Sequence, residues 1–146
     1  MSYSLDVNLL LYASDQSSPR HSAAQQFLQE RMADPDLCCL TWLTLMSYVR
    51  LVTHPGITPA PLTPTEALAN LDSLLRLPRV LVVSEMEGFL DAYREVTRGL
   101  TVRGKLVPDA HLATILRQHD VRTLYTADAD FRRFLFLDVR DPFAAR

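Results

Sequence analysis

Short apolar runs alternate with amphipathic stretches along the chain, and this alternation predicts its secondary structure. The apolar runs begin at residue 5 and recur at 37–40, 79–83, 122–125 and 137–139. The run RVLVV at 79–83 is continuous and rich in β-branched residues, which is typical of a strand covered on both faces. Between the runs, apolar residues recur at helical spacing and predict helices over 19–31, 44–53, 64–77, 86–98 and 109–119, with a short helical segment, DFRRF, at 130–134.

Capping signals place the starts of two of these helices. Ser18 followed by Pro19 predicts an N-cap and first helical residue, and Thr63 with Glu66 has the T-x-x-E spacing of a capping box. Helical spacing also predicts the inward-facing residues, among them Ala24, Phe27, Leu28 and Met32 of the first amphipathic stretch, Leu68, Leu71 and Leu75 of the third, and Phe89, Leu90, Tyr93 and Val96 or Thr97 of the fourth.

Repeated strand–helix alternation predicts an α/β fold, an α/β/α sandwich around a mostly parallel sheet of four or five strands. With 146 residues, 48% of them hydrophobic, and no linker or repeat, residues 1–146 are expected to form a single domain. No apolar run approaches the roughly 18–20 residues that span a bilayer, and MSYSLDV does not resemble a signal peptide. We therefore expect a cytoplasmic protein with no membrane partner.

Charge and cysteine content exclude some classes of function. A formal net charge of −2 predicts no strong nonspecific attraction to nucleic acid. Cys38 and Cys39 are adjacent, so they can form neither a disulfide framework nor a CxxC metal site. We interpret both as small apolar residues of a buried strand.

The stretch SLDVNLLLYA raises the main question about chemistry, because Asp6 and Asn8 lie among apolar residues. A desolvated carboxylate without a partner costs several kcal/mol. A helix N-terminus, an ion pair or a metal could each explain why Asp6 is present.

Three acids are predicted at the edge formed by the carboxyl ends of the strands, where α/β sheets place their functional groups. Asp6 ends the first strand, Asp128 follows the strand RTLY, and Asp109 opens a helix after Pro108. Taken singly, Asp109 could be a first-turn acid, and Asp128 and Asp130 could cap the turn before DFRRF. Together they would repel one another unless a cation were present, and oxygen-only ligands suit Mg²⁺ or Mn²⁺ rather than zinc. The pattern predicts metal-dependent phosphoester chemistry.

Four segments in order, LDVNLLLYA, LTLMSYVRLVTHP, VPDAHLATILRQH and LYTADADFRRF, resemble the successive motifs of PIN-domain ribonucleases. They are most similar to the VapC type, the toxins of bacterial VapBC toxin–antitoxin pairs, and the similarity runs from Leu5 to about Pro142. The resemblance implies a PIN-like fold and Mg²⁺- or Mn²⁺-dependent endonucleolytic cleavage of RNA. It also implies a VapB-like antitoxin as partner, and homodimerisation.

The resemblance further implies that metal binding and positioning of the attacking water fall to Asp6, Asp109 and Asp128. Asp130 matches an acid often found beside the last of these, and Asn8 and Thr126 match polar neighbours that orient the carboxylates.

Ser47 departs from the pattern, because most such proteins carry a Glu there. Having one carboxylate fewer predicts weaker metal binding. Glu66, Glu85 and Glu87 are the conceivable substitutes. If none replaces it, the alternative is a catalytically weakened or inactive PIN-like module that binds RNA or protein.

Candidate contacts to RNA phosphates are Arg50, Arg98, Arg103 and Lys105, unless they form a solvated basic surface. His111 could face the same cleft or the helix surface. A haloacid-dehalogenase-like phosphatase is a third possibility, since an Asp ending the first strand suits a phosphoryl-accepting nucleophile. However, DVNL lacks the second Asp and the Thr or Val of that loop.

Overall fold

The computed structural model describes residues 1–144, which include a five-stranded sheet in the order β3-β2-β1-β4-β5. All four strand pairings are parallel. The strands are β1 (Ser2–Leu5), β2 (Leu37–Leu40), β3 (Val80–Val82), β4 (Thr123–Tyr125) and β5 (Asp138–Arg140). The helices are α1 (Val7–Ser14), α2 (His21–Ala33), α3 (Trp42–Val52), α4 (Pro64–Leu75), α5 (Phe89–Val96) and α6 (Leu106–Gln118), and a 3₁₀ helix spans Ala129–Arg133.

Two hydrophobic cores lie on opposite faces of this sheet, which confirms the predicted α/β/α sandwich. One core packs Leu5 and Leu40 against α1, α3 and α4, and the other packs Leu124 and Val139 against α6 and the 3₁₀ helix. Because side chains alternate along a strand, Cys38 and Cys39 are buried on opposite faces, as predicted for a buried strand. Burial raises the pKa of both thiols, that of Cys38 to about 12, which keeps them unreactive.

Helix α1 was not predicted from the sequence. The strand ends at Leu5, and the helix begins at Val7 because Asp6 accepts a hydrogen bond from the Val7 backbone N–H. The apolar run that follows is helical, with Leu9 and Leu10 buried against the sheet. Asp6 therefore lies at the junction between a strand and a helix.

Several helix boundaries also differ from the predictions. Helix α2 begins at His21 rather than Pro19, because the Ser18 hydroxyl accepts a hydrogen bond from the Arg20 N–H and forms a turn there. Helix α5 is shorter than 86–98, because Met86 is held in the preceding loop by the Gln118 side chain. Helix α6 begins three residues early, which places Asp109 in its first turn rather than at its start.

The prediction that the strand at 79–83 is covered on both faces is wrong, because β3 is an edge strand and Leu81 and Val82 are exposed. Two helical residues predicted to face the core are also exposed. Leu68 is 51% exposed and Leu90 is 59% exposed. In α4 the buried side is carried by Ala67 and Leu71, while the predicted capping box between Thr63 and Glu66 is confirmed. Within the described part of the chain, no helix is both long and apolar enough to cross a membrane.

Candidate active site

Asp6 occupies a polar site at the ends of β1 and β4, whose terminal residues Leu5 and Tyr125 are paired. One carboxylate oxygen, Oδ1, accepts the Val7 backbone N–H at 2.7 Å. The other, Oδ2, accepts the Thr126 hydroxyl at 2.7 Å and the Asn8 side-chain amide at 3.2 Å. Burial nevertheless raises the pKa of Asp6, because the Thr126 and Val7 hydrogen bonds only partly compensate for desolvation, and the charge of Asp128 raises it further.

Thr126 is a fully buried residue that joins the two strand ends. Besides donating to Asp6, its Oγ1 accepts hydrogen bonds from the Asn8 side chain at 3.3 Å and from the Asp128 backbone N–H at 2.9 Å. These three bonds use the one donor and two acceptor positions of a hydroxyl. The hydrogen bonds from Asn8 and Thr126 to a carboxylate are therefore present as expected. Asn8 Oδ1 is buried and has no hydrogen-bond partner within residues 1–144.

Asp128 begins the 3₁₀ helix, where its Oδ1 accepts the Asp130 backbone N–H at 2.9 Å. The capping role that the sequence suggested for Asp128 is thus confirmed. Asp130 lies 3.7 Å from Arg133, and both side chains are about half exposed. Asp130 is accordingly a peripheral member of the acidic group.

Asp109 lies in the first turn of α6, and its pKa is raised by burial and by three other acids. Burial, followed by the charges of Asp128, Asp6 and Asp130, raises its pKa from 3.8 to about 6, while Lys105 opposes the shift. Hydrogen bonds from Thr126 join the segments of Asp6 and Asp128, which are distant in sequence. Asp109 stays a predicted member of this site. We call Asp6, Asp109, Asp128 and Asp130 the acidic edge.

The acidic edge is open rather than a closed cage. Among residues 1–144, no three His, Cys, Asp or Glu side chains are grouped so that they could hold a metal ion, so Asp6, Asp109 and Asp128 do not form a ready-made set of direct ligands. Mg²⁺ characteristically keeps several waters and binds through one or two carboxylates together with substrate phosphates. The oxygen-only donor set and the unpartnered Asn8 Oδ1 beside Asp6 are compatible with such an ion.

Ser47 lies in a neighbouring groove of about 440 Å³ between α3 and the segment after β3. We call it the α3 groove, and its walls include Trp42, Met46, Ser47, Arg50, Ser84 and Glu85. The remaining walls come from apolar side chains, including Ile115 of α6.

Of the three conceivable substitutes for the missing Glu, only Glu85 lies in the α3 groove. Glu66 is engaged in the α4 capping box, and the Glu87 carbonyl accepts a bond from Gln118. Glu85 Oε1 lies 2.6 Å from His111 Nε2. The backbone N–H of Glu85 and the bond to His111 lower the pKa of this carboxyl. His111 therefore faces Glu85 and the Phe89 ring.

The basic candidates are spread over separate places. Arg50 lines the α3 groove, and Lys105 lies close enough to Asp109 to lower its pKa. Arg98 lines a different pocket together with Arg117, whose backbone lies about 12 Å further along the axis of α6 than that of Asp109. Arg103 is exposed in the loop before α6.

Sequence reasoning missed Arg132, which lines a small pocket with Asp128 and Asp141. The paired arginines of DFRRF were the available signal.

Comparison with known proteins identifies the family. A family model described as PIN domain matches residues 3–137. The chain belongs to the PIN-domain family. This PIN domain is 40% identical to Ribonuclease VapC48 of Mycobacterium tuberculosis over 144 residues, which cover 99% of both chains. It is also 29% identical to Ribonuclease VapC37 of the same species over 130 residues, covering 89% of this chain and 90% of the relative.

Solved structures share the fold of this PIN domain. VapBC2 from Rickettsia felis, determined bound to a promoter DNA fragment, superposes with a TM-score of 0.66 at 18% identity, covering 96% of this chain and 98% of that one. VapC20 of M. tuberculosis, a toxin that cleaves the sarcin–ricin loop, gives 0.65 at 19% identity, covering 95% and 99%. The PIN and VapC resemblance found in the sequence is confirmed, and the phosphatase alternative is not supported.

Proposed function

We propose that this PIN domain is a metal-dependent endoribonuclease and the toxin of a VapBC-type toxin–antitoxin pair. The observation that carries the proposal is the hydrogen-bonded junction at the paired ends of β1 and β4, where Thr126 binds both the Asp6 carboxylate and the Asp128 backbone N–H, so that two acids follow neighbouring strand ends. The 40% identical relative, VapC48, is a ribonuclease, which supports the reaction. The structural neighbour VapC20 cleaves the sarcin–ricin loop, which supports RNA as substrate.

Asp6, Asp109 and Asp128 would hold the ion, Mg²⁺ or Mn²⁺, together with water and the substrate phosphate. When bound, the ion would supply Lewis-acid stabilisation to the phosphodiester and to the attacking water. Thr126 and Asn8 would orient Asp6 through the hydrogen bonds already described.

Positive groups would admit the RNA backbone to an acidic site. Lys105 offsets part of the charge at Asp109, and Arg50 lies in the adjoining α3 groove. Both would contact phosphates, whereas Arg98, which lines a different pocket, would not.

Asp6→Asn tests the activity. Asparagine is as good an N-cap as aspartate, so α1 should form unchanged while one negative ligand is lost. With Mg²⁺ or Mn²⁺, wild-type protein should cleave RNA and Asp6→Asn should be at least ~100-fold slower. Asp72→Asn, on the exposed side of α4, is the matched control and should cleave normally. Equal digestion by wild type and Asp6→Asn would show that a contaminant cuts the RNA, and the proposal would fail.

A second candidate function is a non-catalytic module that binds RNA or a protein partner. Ser47 at the usual Glu position favours it, as does the open arrangement of acids in the described residues. Calorimetry separates the two: no detectable Mn²⁺ binding at millimolar concentration favours the binding module, and binding that Asp6→Asn weakens favours the nuclease.

We further propose a VapB-like antitoxin as inhibitor and a homodimer as the working assembly in the cytoplasm. The R. felis neighbour was solved as a VapBC complex, which supports the antitoxin. Co-purification with the product of an adjacent short reading frame and light scattering of the purified toxin test the two parts separately.

A further inference from the structure

Trp42 is the single tryptophan of the chain, and it is 50% exposed at the first position of α3. Its ring lines the α3 groove beside Met46, which is also exposed. The backbone that carries it is fixed, because buried Thr41 caps α3 by accepting the Thr44 backbone N–H at 3.3 Å. A half-exposed tryptophan is therefore carried by the first residue of a capped helix.

The α3 groove adjoins the acidic edge. Strands β2 and β1 are parallel neighbours, so Trp42, two residues after β2, and Asp6, one residue after β1, project from the same edge of the sheet. Neighbouring strands lie about 4.8 Å apart. On its other side the groove is bounded by Ile115 and by Glu85, which contacts His111; Ile115 and His111 share one face of α6, the helix that carries Asp109 in its first turn. An RNA strand with a phosphate at the acids would run towards the groove.

The polar groups of the α3 groove complement a nucleotide. Arg50 supplies a cation that suits a phosphate, while Glu85 supplies a carboxylate that suits the N–H groups of a base edge. The apolar walls and the Trp42 ring suit the flat face of a base, which any nucleobase presents. Glu85 already pairs with His111 through Oε1, which leaves Oε2 for a base N–H, and a purely apolar partner would leave Arg50 without a complementary group.

Resting on the proposed ribonuclease activity, we propose that the α3 groove is a nucleobase subsite. One unpaired RNA base stacks on Trp42, Arg50 contacts its phosphate, and Glu85 accepts an N–H from its edge. Because a base can enter only when it is unstacked from a helix, the subsite selects single-stranded or looped RNA over duplex.

Fluorescence tests the subsite without any need for cleavage. In Asp6→Asn protein with Mg²⁺, all tryptophan emission comes from Trp42. A short single-stranded RNA should quench this emission on titration. An abasic strand with the same phosphates and a blunt RNA duplex should leave it nearly unchanged. Arg50→Ala should weaken the titration several-fold without changing the quenching at saturation.

Kinetics of otherwise wild-type protein provide the second readout. Stacking of one base on an aromatic ring predicts a KM about 10-fold higher for Trp42→Ala, with kcat nearly unchanged because the stack persists in the transition state. Trp42→Phe should recover most of the loss. Leu135→Ala, a 93% exposed residue outside the groove, is the control for surface hydrophobicity.

Several results would overturn the proposal. These are unchanged Trp42 emission when labelled RNA is shown by anisotropy to bind, equal quenching by the abasic strand, quenching by a purified antitoxin but not by RNA, or an unchanged KM in Trp42→Ala. Failure of the ribonuclease proposal would look different, because cleavage would then be absent or would persist in Asp6→Asn.

Discussion

Replacing Asp109 by asparagine should make the metal-free protein more stable while removing its activity. The Asp109 carboxyl is partly buried and is repelled by Asp128, Asp6 and Asp130, so its ionised form is unfavourable in the folded state. Asparagine keeps the size of the side chain and removes the charge. A residue retained at a cost to stability is expected where function requires it.

The size of the effect follows from the raised pKa. A change from 3.8 to about 6 corresponds to at most ~3 kcal/mol. Asp109 is partly exposed, so solvent screening reduces this to ~1.5 kcal/mol. The substitution also loses ~0.5 kcal/mol of favourable interaction with the N-terminus of α6. The net gain is ~1 kcal/mol, or ~3 °C in Tm for a chain of this length.

The pH dependence has a definite sign. Below about pH 4 the carboxyl of Asp109 is protonated in both states, so the penalty is absent. Between about pH 4 and pH 6 the unfolded chain has released this proton and the folded protein has not, so the contribution of Asp109 to stability falls as pH rises. Above about pH 6 the full penalty remains.

Urea unfolding in EDTA at pH 4 and pH 7.5 measures this difference. Asp109→Asn should exceed wild type by ~1 kcal/mol at pH 7.5 and by much less at pH 4. Asp72→Asn should show no such change. Added Mn²⁺ should stabilise wild type more than Asp109→Asn. Equal stability of wild type and Asp109→Asn in EDTA at pH 7.5 would refute the claim that burial and the neighbouring acids disfavour the ionised form of Asp109.

Three further substitutions separate structure from chemistry. Thr126→Val leaves Asp6 and the Asp128 N–H without their hydroxyl partner, so urea unfolding should show a loss of ~2 kcal/mol in stability and kcat should fall. Thr126→Ser should retain both the stability and kcat. Unchanged stability and kcat in Thr126→Val would contradict the hydrogen-bonded junction. Thr63→Ala removes the α4 capping box and should cost ~1 kcal/mol with kcat unchanged, and a change in kcat would mean that α4 contributes to the site. Ser47→Glu should tighten Mn²⁺ binding ~10-fold by calorimetry with Ser47→Ala as control, and unchanged affinity would place residue 47 out of reach of the ion.

The sequence predicts the acidic edge because it depends on one rule of topology. Parallel strands end at the same edge, so residues that follow β1 and β4 must meet there. Asp6 and Asp128 satisfy that rule, and Thr126 lies between them for the same reason. Asp109 requires only that α6 begin near that edge.

Features that depend on tertiary contact could not be predicted in this way. The apolar run at 9–11 reads as a strand as readily as a helix, and what makes it α1 is the cap from Asp6 and the burial of Leu9 and Leu10. Glu85 lies in a loop whose position is fixed by a hydrogen bond from the Met86 backbone N–H to the Gln118 side chain, more than thirty residues away in sequence. No local sequence pattern predicts that Glu85 contacts His111, or that Arg98 lines a pocket other than the α3 groove.

The central claim is that Asp6, Asp109 and Asp128 share one divalent ion. Crystals grown with Mn²⁺ and examined by anomalous scattering test it most directly. We expect a peak at the acidic edge with Asp6, Asp109 and Asp128 around it, bound directly or through water, and no such peak in Asp6→Asn crystals. A peak elsewhere, or none at saturating Mn²⁺, would contradict the claim.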